Sequence, residues 1–236
     1  MAVYSAQHKY IFFANPQTAS KAISLTLRKK LGGVLLPDRE ITRNGKLVAR
    51  MHHTTYTQVL AAGLLTEQQL AELFKFTCVR NPYDQLVSKY IKYCFRQGDD
   101  PARYPWLEGV EASSPDNSFP QWLAWLSKRF EEMDKLAKGP LDFLAHADLV
   151  IRFEALQQGF DEFLHHIGVT EPLSVTEYNI TKGRADNSAA GAAPAADAKP
   201  KKKKKNYTEY YDDNCIAIVE KLYEPILKRF NYRFGD

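Results

Sequence analysis

The segment from Phe76 to Tyr90 constrains the fold of this chain more than any other. Phe76-Thr77-Cys78-Val79 is a short apolar run that predicts a buried strand. Arg80 follows at its C-terminal end, and Pro82 opens a helix that carries Ser88 a turn and a half inside. In an α/β sheet, ligands bind outside the carboxyl ends of strands and at helix N-termini. An Arg and a Ser placed there suit a phosphate or a sulfate. Without a ligand, the same pattern would be an Arg capping a sheet edge and a helix that only packs.

The rest of the chain alternates in the same way. Lys9-Tyr10-Ile11-Phe12-Phe13-Ala14 reads as the first buried strand, followed by a turn at Asn15 to Ala19 and a helix from Ser20 to Leu31 closed by Gly32-Gly33. A second apolar stretch, Lys46 to Arg50, leads into His52-His53-Thr54-Thr55 and a helical patch from Tyr56 to Leu64. Thr66-Glu67-Gln68-Gln69 has capping-box form and precedes the strand at Lys75 to Val79. The Pro82 helix runs to about Gln97, residues 98–117 are loop-like, and helices are predicted near 118–134 and 140–146. Asp148 to Glu154 is a third strand, followed by a helix to His166 that stops at Gly168. Strands alternating with helices imply an α/β fold with a mostly parallel central sheet flanked by helices.

Residues 1–236 are long enough for a single domain with a full core. Within it, 185–205 reads as a flexible, low-complexity insertion. Its composition collapses to Ala, Gly, Asp, Pro and Lys, too little apolar surface to offset chain entropy. An amphipathic helix then resumes at Asn206 and runs to about Phe230.

The net charge of +4 is concentrated in Lys199 and Lys201 to Lys205, and the remainder is slightly acidic. That excludes a global nucleic-acid footprint. The lysine run either draws polyanions or a membrane surface without sequence specificity, or is an inert part of a mobile loop. Cys78, Cys94 and Cys215 are odd in number and lie in apolar patterns, which suits buried free thiols in a reducing compartment. With no signal-peptide layout at Met1 to Lys9 and no membrane-length apolar run, the expected location is the cytoplasm.

Two further segments carry chemistry. After the first strand, the loop Pro16-Gln17-Thr18-Ala19-Ser20-Lys21-Ala22 presents backbone amides at a helix N-terminus, where the dipole adds roughly half a positive charge. It lacks the G-x-x-x-x-G-K-[ST] of a Walker A loop, which argues against a kinase or other NTPase of similar architecture. His52-His53 lies between this loop and the Arg80 strand. A neutral His is well matched to accepting a proton near pH 7.

Together these segments resemble the sulfotransferases that use 3′-phosphoadenosine 5′-phosphosulfate (PAPS), of the carbohydrate type. The 16–22 loop is similar to their 5′-phosphosulfate motif P-K-T-x-[GS]-[TS]-S, and Phe76 to Tyr90 to their 3′-phosphate motif. Arg152-Phe153-Glu154-Ala155-Leu156 resembles R-[FY]-E-x-L, read as structural, with Arg152 and Glu154 satisfying one another. Tyr178 to Arg184 resembles the basic loop ahead of the last helix, and Tyr207 to Tyr232 the closing helix. One departure stands out, because Gln17 occupies the position where the family usually has Lys or Arg.

The resemblance implies a P-loop-like three-layer fold and sulfuryl transfer from PAPS to an acceptor hydroxyl, leaving 3′-phosphoadenosine 5′-phosphate (PAP), with no metal. It assigns Pro16, Gln17, Thr18, Ala19, Ser20, Lys21 and Ala22 to the 5′-phosphosulfate, and Arg80 and Ser88 to the 3′-phosphate. Lys182 and Arg184 approach that phosphate from the basic loop. His53 is the base, with His52 the alternative, and Lys21 or Gln17 assists the leaving group. The acceptor, a carbohydrate or glycolipid-type hydroxyl, would sit among loops such as 34–50 and 97–117. Gln17 also leaves open a relative that binds PAPS or a glycan without turnover.

Overall fold

The computed structural model describes residues 2–97, 118–133, 139–175 and 205–236. In chain order the elements are β1 (Ala2–Ser5), β2 (Tyr10–Phe13), α1 (Ser20–Lys30), β3 (Val34–Leu36), β4 (Ile41–Arg43) and β5 (Lys46–Ala49). Then come α2 (Tyr56–Ala61), α3 (Glu67–Ala71), β6 (Phe74–Val79), α4 (Pro82–Gln97), α5 (Phe119–Met133) and α6 (Gly139–Ala145). The last elements are β7 (Leu149–Arg152), α7 (Leu156–His166) and α8 (Asp213–Phe230), with single 3₁₀ turns at Phe153–Ala155 and Tyr207–Tyr210.

The central sheet has the order β3-β1-β2-β6-β7. Strands β2, β6 and β7 are parallel neighbours, whereas β1 pairs antiparallel with both β2 and β3. The expected mostly parallel sheet is therefore mixed, an α/β arrangement in which only the half nearest the site is parallel. Its antiparallel half comes from Ala2–Ser5 and Val34–Leu36, segments too short to show a strand period. A separate β4–β5 hairpin turns at Asn44-Gly45, both with positive φ.

Alternation along the strands sends side chains to two faces. Tyr10, Phe12, Phe76, Cys78 and Ile151 pack with Ile23 and Leu27 of α1 and Phe160 and Phe163 of α7. Ile11 and Phe13 pack on the other face with Val59, Leu70 and Phe143, from α2, α3 and α6. Each such fully buried apolar side chain contributes roughly 1.5–3 kcal/mol. A third cluster joins α4, α5 and α8 around Tyr90, Trp122 and Val219.

Two sequence expectations about side chains meet different outcomes. Cys78 and Cys215 are buried and free, while the side chain of Cys94 lies outside the described residues. Arg152 and Glu154 do not satisfy one another. Arg152 donates to Phe230 O at 3.1 Å and stacks on the Tyr232 ring. Glu154 accepts from the Asn81 amide at 2.7 Å and the Tyr232 hydroxyl at 2.8 Å. The 3₁₀ turn after β7 swings Glu154 away from its neighbour and toward the start of α4. The insertion at 185–205, with Lys201–Lys204, and the basic-loop residues Lys182 and Arg184 lie outside the described residues apart from Lys205, which sits over Tyr210.

Candidate active site

The loop between β2 and α1 is anchored from beneath before it presents anything to a ligand. Asn15 is buried and donates from Nδ2 to Cys78 O at 2.9 Å, tying the loop to the neighbouring parallel strand. Thr77 Oγ1 donates to Phe13 O at 2.7 Å across the same pair. Thr18 is fully buried, and its hydroxyl donates back to Asn15 O at 2.8 Å. That hydroxyl therefore closes the loop from within.

Gln17 and Ala19 both have left-handed backbone, at φ 61° and φ 58°. For residues with a Cβ this costs on the order of 1–2 kcal/mol each. Such alternation turns successive amides toward one concavity, the geometry of an anion-binding nest. Helix α1 starts its hydrogen-bond ladder only at Ala22 and Ile23, whose amides donate to Ala19 O. The amides ahead of them are the orphan donors of a helix N-terminus. Ser20 is buried at the first helical position, Lys21 is exposed, and Ala22 packs into the core, so its side chain offers a ligand nothing polar.

Arg80 closes the loop from the next strand. Its Nη1 donates to Gln17 O at 3.1 Å, while Nε and Nη2 clamp one carboxylate oxygen of Asp84 at 2.7 and 2.5 Å. The guanidinium also lies over the Phe153 ring, 4.1 Å from its centroid. Only 14% of its side chain is exposed, so it is held as well as charged.

Helix α4 is aimed by its own start. Asn81 Oδ1 accepts from the Tyr83 amide at 3.1 Å, the N-cap bond that Pro82 at the next position cannot disturb. Asn81 Nδ2 reaches Arg233 O, and its own amide is taken by Glu154. One turn in, Gln85 Nε2 donates to Pro16 O at 2.7 Å. Ser88, half-buried, is four residues after Asp84 on the same side of the helix.

His53 approaches the loop from the other side. Its Nδ1 lies 2.7 Å from Ala14 O, the last residue before the loop. That contact makes Nδ1 the protonated nitrogen and leaves Nε2 with the lone pair. Burial, with the nearby charge of Lys92 adding to it, lowers the pKa to about 4. The ring is neutral at pH 7 and can accept a proton. His53 has φ 58°, which turns its ring inward, while His52 is exposed.

The structure thus gathers Pro16 to Lys21, His53, Arg80 and the Ser88 face of α4 around one loop. Asn15, Asp84 and Gln85 belong to the same network and were not singled out by sequence. The available signal was an acidic residue, Asp84, in the first turn of the helix that follows Arg80. A cavity of about 870 Å³ lies elsewhere, along Gly33–Thr42 with Arg28 and Leu64, and includes none of these residues. Among the described residues no cluster of His, Cys, Asp and Glu is placed to hold a metal ion, and no helix is long and apolar enough to cross a membrane.

Compared with known proteins, residues 14–233 match the model of a sulfotransferase family. No curated protein and no solved structure gives a significant match.

Proposed function

The chain belongs to the sulfotransferase family, and from that premise we propose that it transfers a sulfuryl group from PAPS to a hydroxyl of a carbohydrate or glycolipid-type acceptor. The observation that carries this reading is convergence on one short loop. His53 bonds it at Ala14, Gln85 at Pro16 and Arg80 at Gln17. A proton acceptor and a fixed cation therefore flank a strained, amide-presenting turn.

In this reading the amides of Gln17 to Lys21 hold the 5′-phosphosulfate, in a P-loop-like layered frame. Arg80 and Ser88 hold the 3′-phosphate that separates PAPS from ordinary nucleotides, with Lys182 and Arg184 approaching it. His53 Nε2 takes the proton of the acceptor hydroxyl as its oxygen attacks sulfur in line with the leaving phosphate oxygen. Most of the rate enhancement comes from positioning and charge stabilisation, as in phosphoryl transfer.

The test is thermal-shift titration with PAP against ATP and AMP, followed by turnover with labelled PAPS and a mixed panel of sugar hydroxyls. A larger shift with PAP than with ATP supports the assignment, and tighter ATP binding overturns it. Gln17 favours one other reading, a relative that binds donor or glycan without turnover. PAP binding with no transfer to any acceptor selects that one.

A further inference from the structure

We propose that Lys89, on the loop-facing side of helix α4, supplies the leaving-group cation that position 17 lacks. The inference rests on the sulfuryl-transfer reading and assigns a residue that neither the 16–22 loop nor the Arg80–Ser88 pair contains.

One hydrogen bond fixes which way this side of α4 points, and the electrostatics of His53 agree with it. Gln85 donates to Pro16 O at 2.7 Å, so position 85 lies against the loop. The charge of Lys92 depresses the pKa of His53, so position 92 lies on the side of the base. Lys89 is four residues after the first and three before the second, on the same helical face. At 1.5 Å per residue it stands about 6 Å along the helix from Gln85, about one turn beyond the residue that bonds the loop.

The other cations are less well placed. Lys21 is exposed. Arg80 is held at the strand end by Asp84 and Gln17 O and is assigned to the 3′-phosphate. Lys92 is on the His53 side, where a positive charge helps keep the base neutral. Lys89 is half-buried, and desolvation lowers its pKa. An anion beside a desolvated ammonium is stabilised more than one beside a hydrated ammonium.

The step balances without further reagents. The bond from acceptor oxygen to sulfur forms as the acceptor proton passes to His53 Nε2. The bond from sulfur to the bridging oxygen breaks, and its electron pair stays on the 5′-phosphate of PAP. The Lys89 ammonium stabilises that charge and keeps its own protons.

The experiment compares Lys89→Met, Lys89→Gln and Lys89→Arg, and adds Gln17→Lys to both the parent and the Lys89→Met chain. It reads kcat at saturating labelled PAPS and the melting shift with PAP. Removing the charge should lower kcat by about 10²–10³-fold, with the PAP shift largely kept, and Lys89→Arg should retain most of the rate. Gln17→Lys should recover far more rate in the Lys89→Met chain than it adds to the parent. Parent-like turnover in either neutral variant, or an equal fold gain from Gln17→Lys in both backgrounds, overturns the inference while the donor reading stands. A parent protein that shows no melting shift with PAP overturns the donor reading, and the inference with it.

Discussion

The imidazole of His53 is held 2.7 Å from the carbonyl of Ala14, at the point where the second strand gives way to the loop. This contact fixes the tautomer and leaves Nε2 as the acceptor. Replacing His53 by Ala or Gln should lower turnover by about 10²–10⁴-fold with little change in PAP affinity, while His52→Ala should leave turnover near that of the parent. A loss of PAP binding in the His53 variants, with turnover of the bound fraction unchanged, would contradict the role.

The same ring sets a pH dependence. Its pKa falls from the ordinary 6.5 to about 4 on folding, chiefly through burial. The unfolded chain therefore binds more protons than the folded one between those values, so the contribution of His53 to stability is full above pH 6.5 and is lost progressively toward pH 4. Turnover limited by this base should hold down to about pH 5 and fail near pH 4. His53→Gln should flatten the His53 part of the melting-temperature profile across that window, as differential scanning calorimetry would show. An acidic limb of turnover centred near 6.5 would mean a solvated base.

Arg80 tests the donor site independently. Its two bonds to Asp84 and one to Gln17 O depend on the planar guanidinium fork. A charged hydrogen bond of this kind contributes about 1.5–3 kcal/mol. Arg80→Ala should therefore weaken PAP by roughly 10- to 150-fold, and Arg80→Lys should recover only part of that. Ser88→Ala should cost less, about 2- to 10-fold. Calorimetric titration with PAP and with AMP separates the cases, since the loss should be confined to the ligand bearing the 3′-phosphate. Equal losses for both ligands would move Arg80 elsewhere on the nucleotide.

Much of this arrangement was legible because its signals are local. Pro82 marks the start of α4, and Thr66 caps α3 through Gln69, as the capping-box pattern predicts. The antiparallel half of the sheet was not legible. Ala2–Ser5 and Val34–Leu36 are four and three residues long, and only their pairing with β2 and with each other makes them strands. In the site, His52 and His53 are equivalent by spacing, and a left-handed backbone at His53 separates them. Arg152 and Glu154 were misjudged for a similar reason, since the turn at Phe153 sends each to a partner roughly 80 residues away in sequence.

Glu154 joins the fold to the site. It takes the amide of Asn81, which is 2% exposed, and the hydroxyl of Tyr232. Removing the carboxylate leaves two donors without this acceptor, the Tyr232 hydroxyl and the amide of the residue after Arg80. At about 1–3 kcal/mol for each buried unmet donor, Glu154→Ala should lower the melting temperature by several degrees and weaken PAP through loss of Arg80 placement. Tyr232→Phe removes one of the two bonds and should cost less in stability. If Glu154→Ala melts like the parent, the Asn81 amide has another acceptor and this link is not structural.

Gly159 in α7 is a purely steric test of how the helix lies on β7. A Cβ at this position would meet Ile151 Cγ2 at 2.6 Å and its Cβ and Cγ1 at 3.2 Å. Ile151 cannot yield easily, because it is 1% exposed and its strand is in register with Cys78 of β6. Overpacking of this kind costs about 1–3 kcal/mol, so Gly159→Ala should melt lower despite the better helix propensity of Ala. Ile151→Ala opens a cavity and is destabilising alone, yet it also removes the clashing atoms. The double variant should then be more stable than the two separate losses would give, since residues in contact do not add independently. Strict additivity would mean that α7 and β7 are not in contact at these residues.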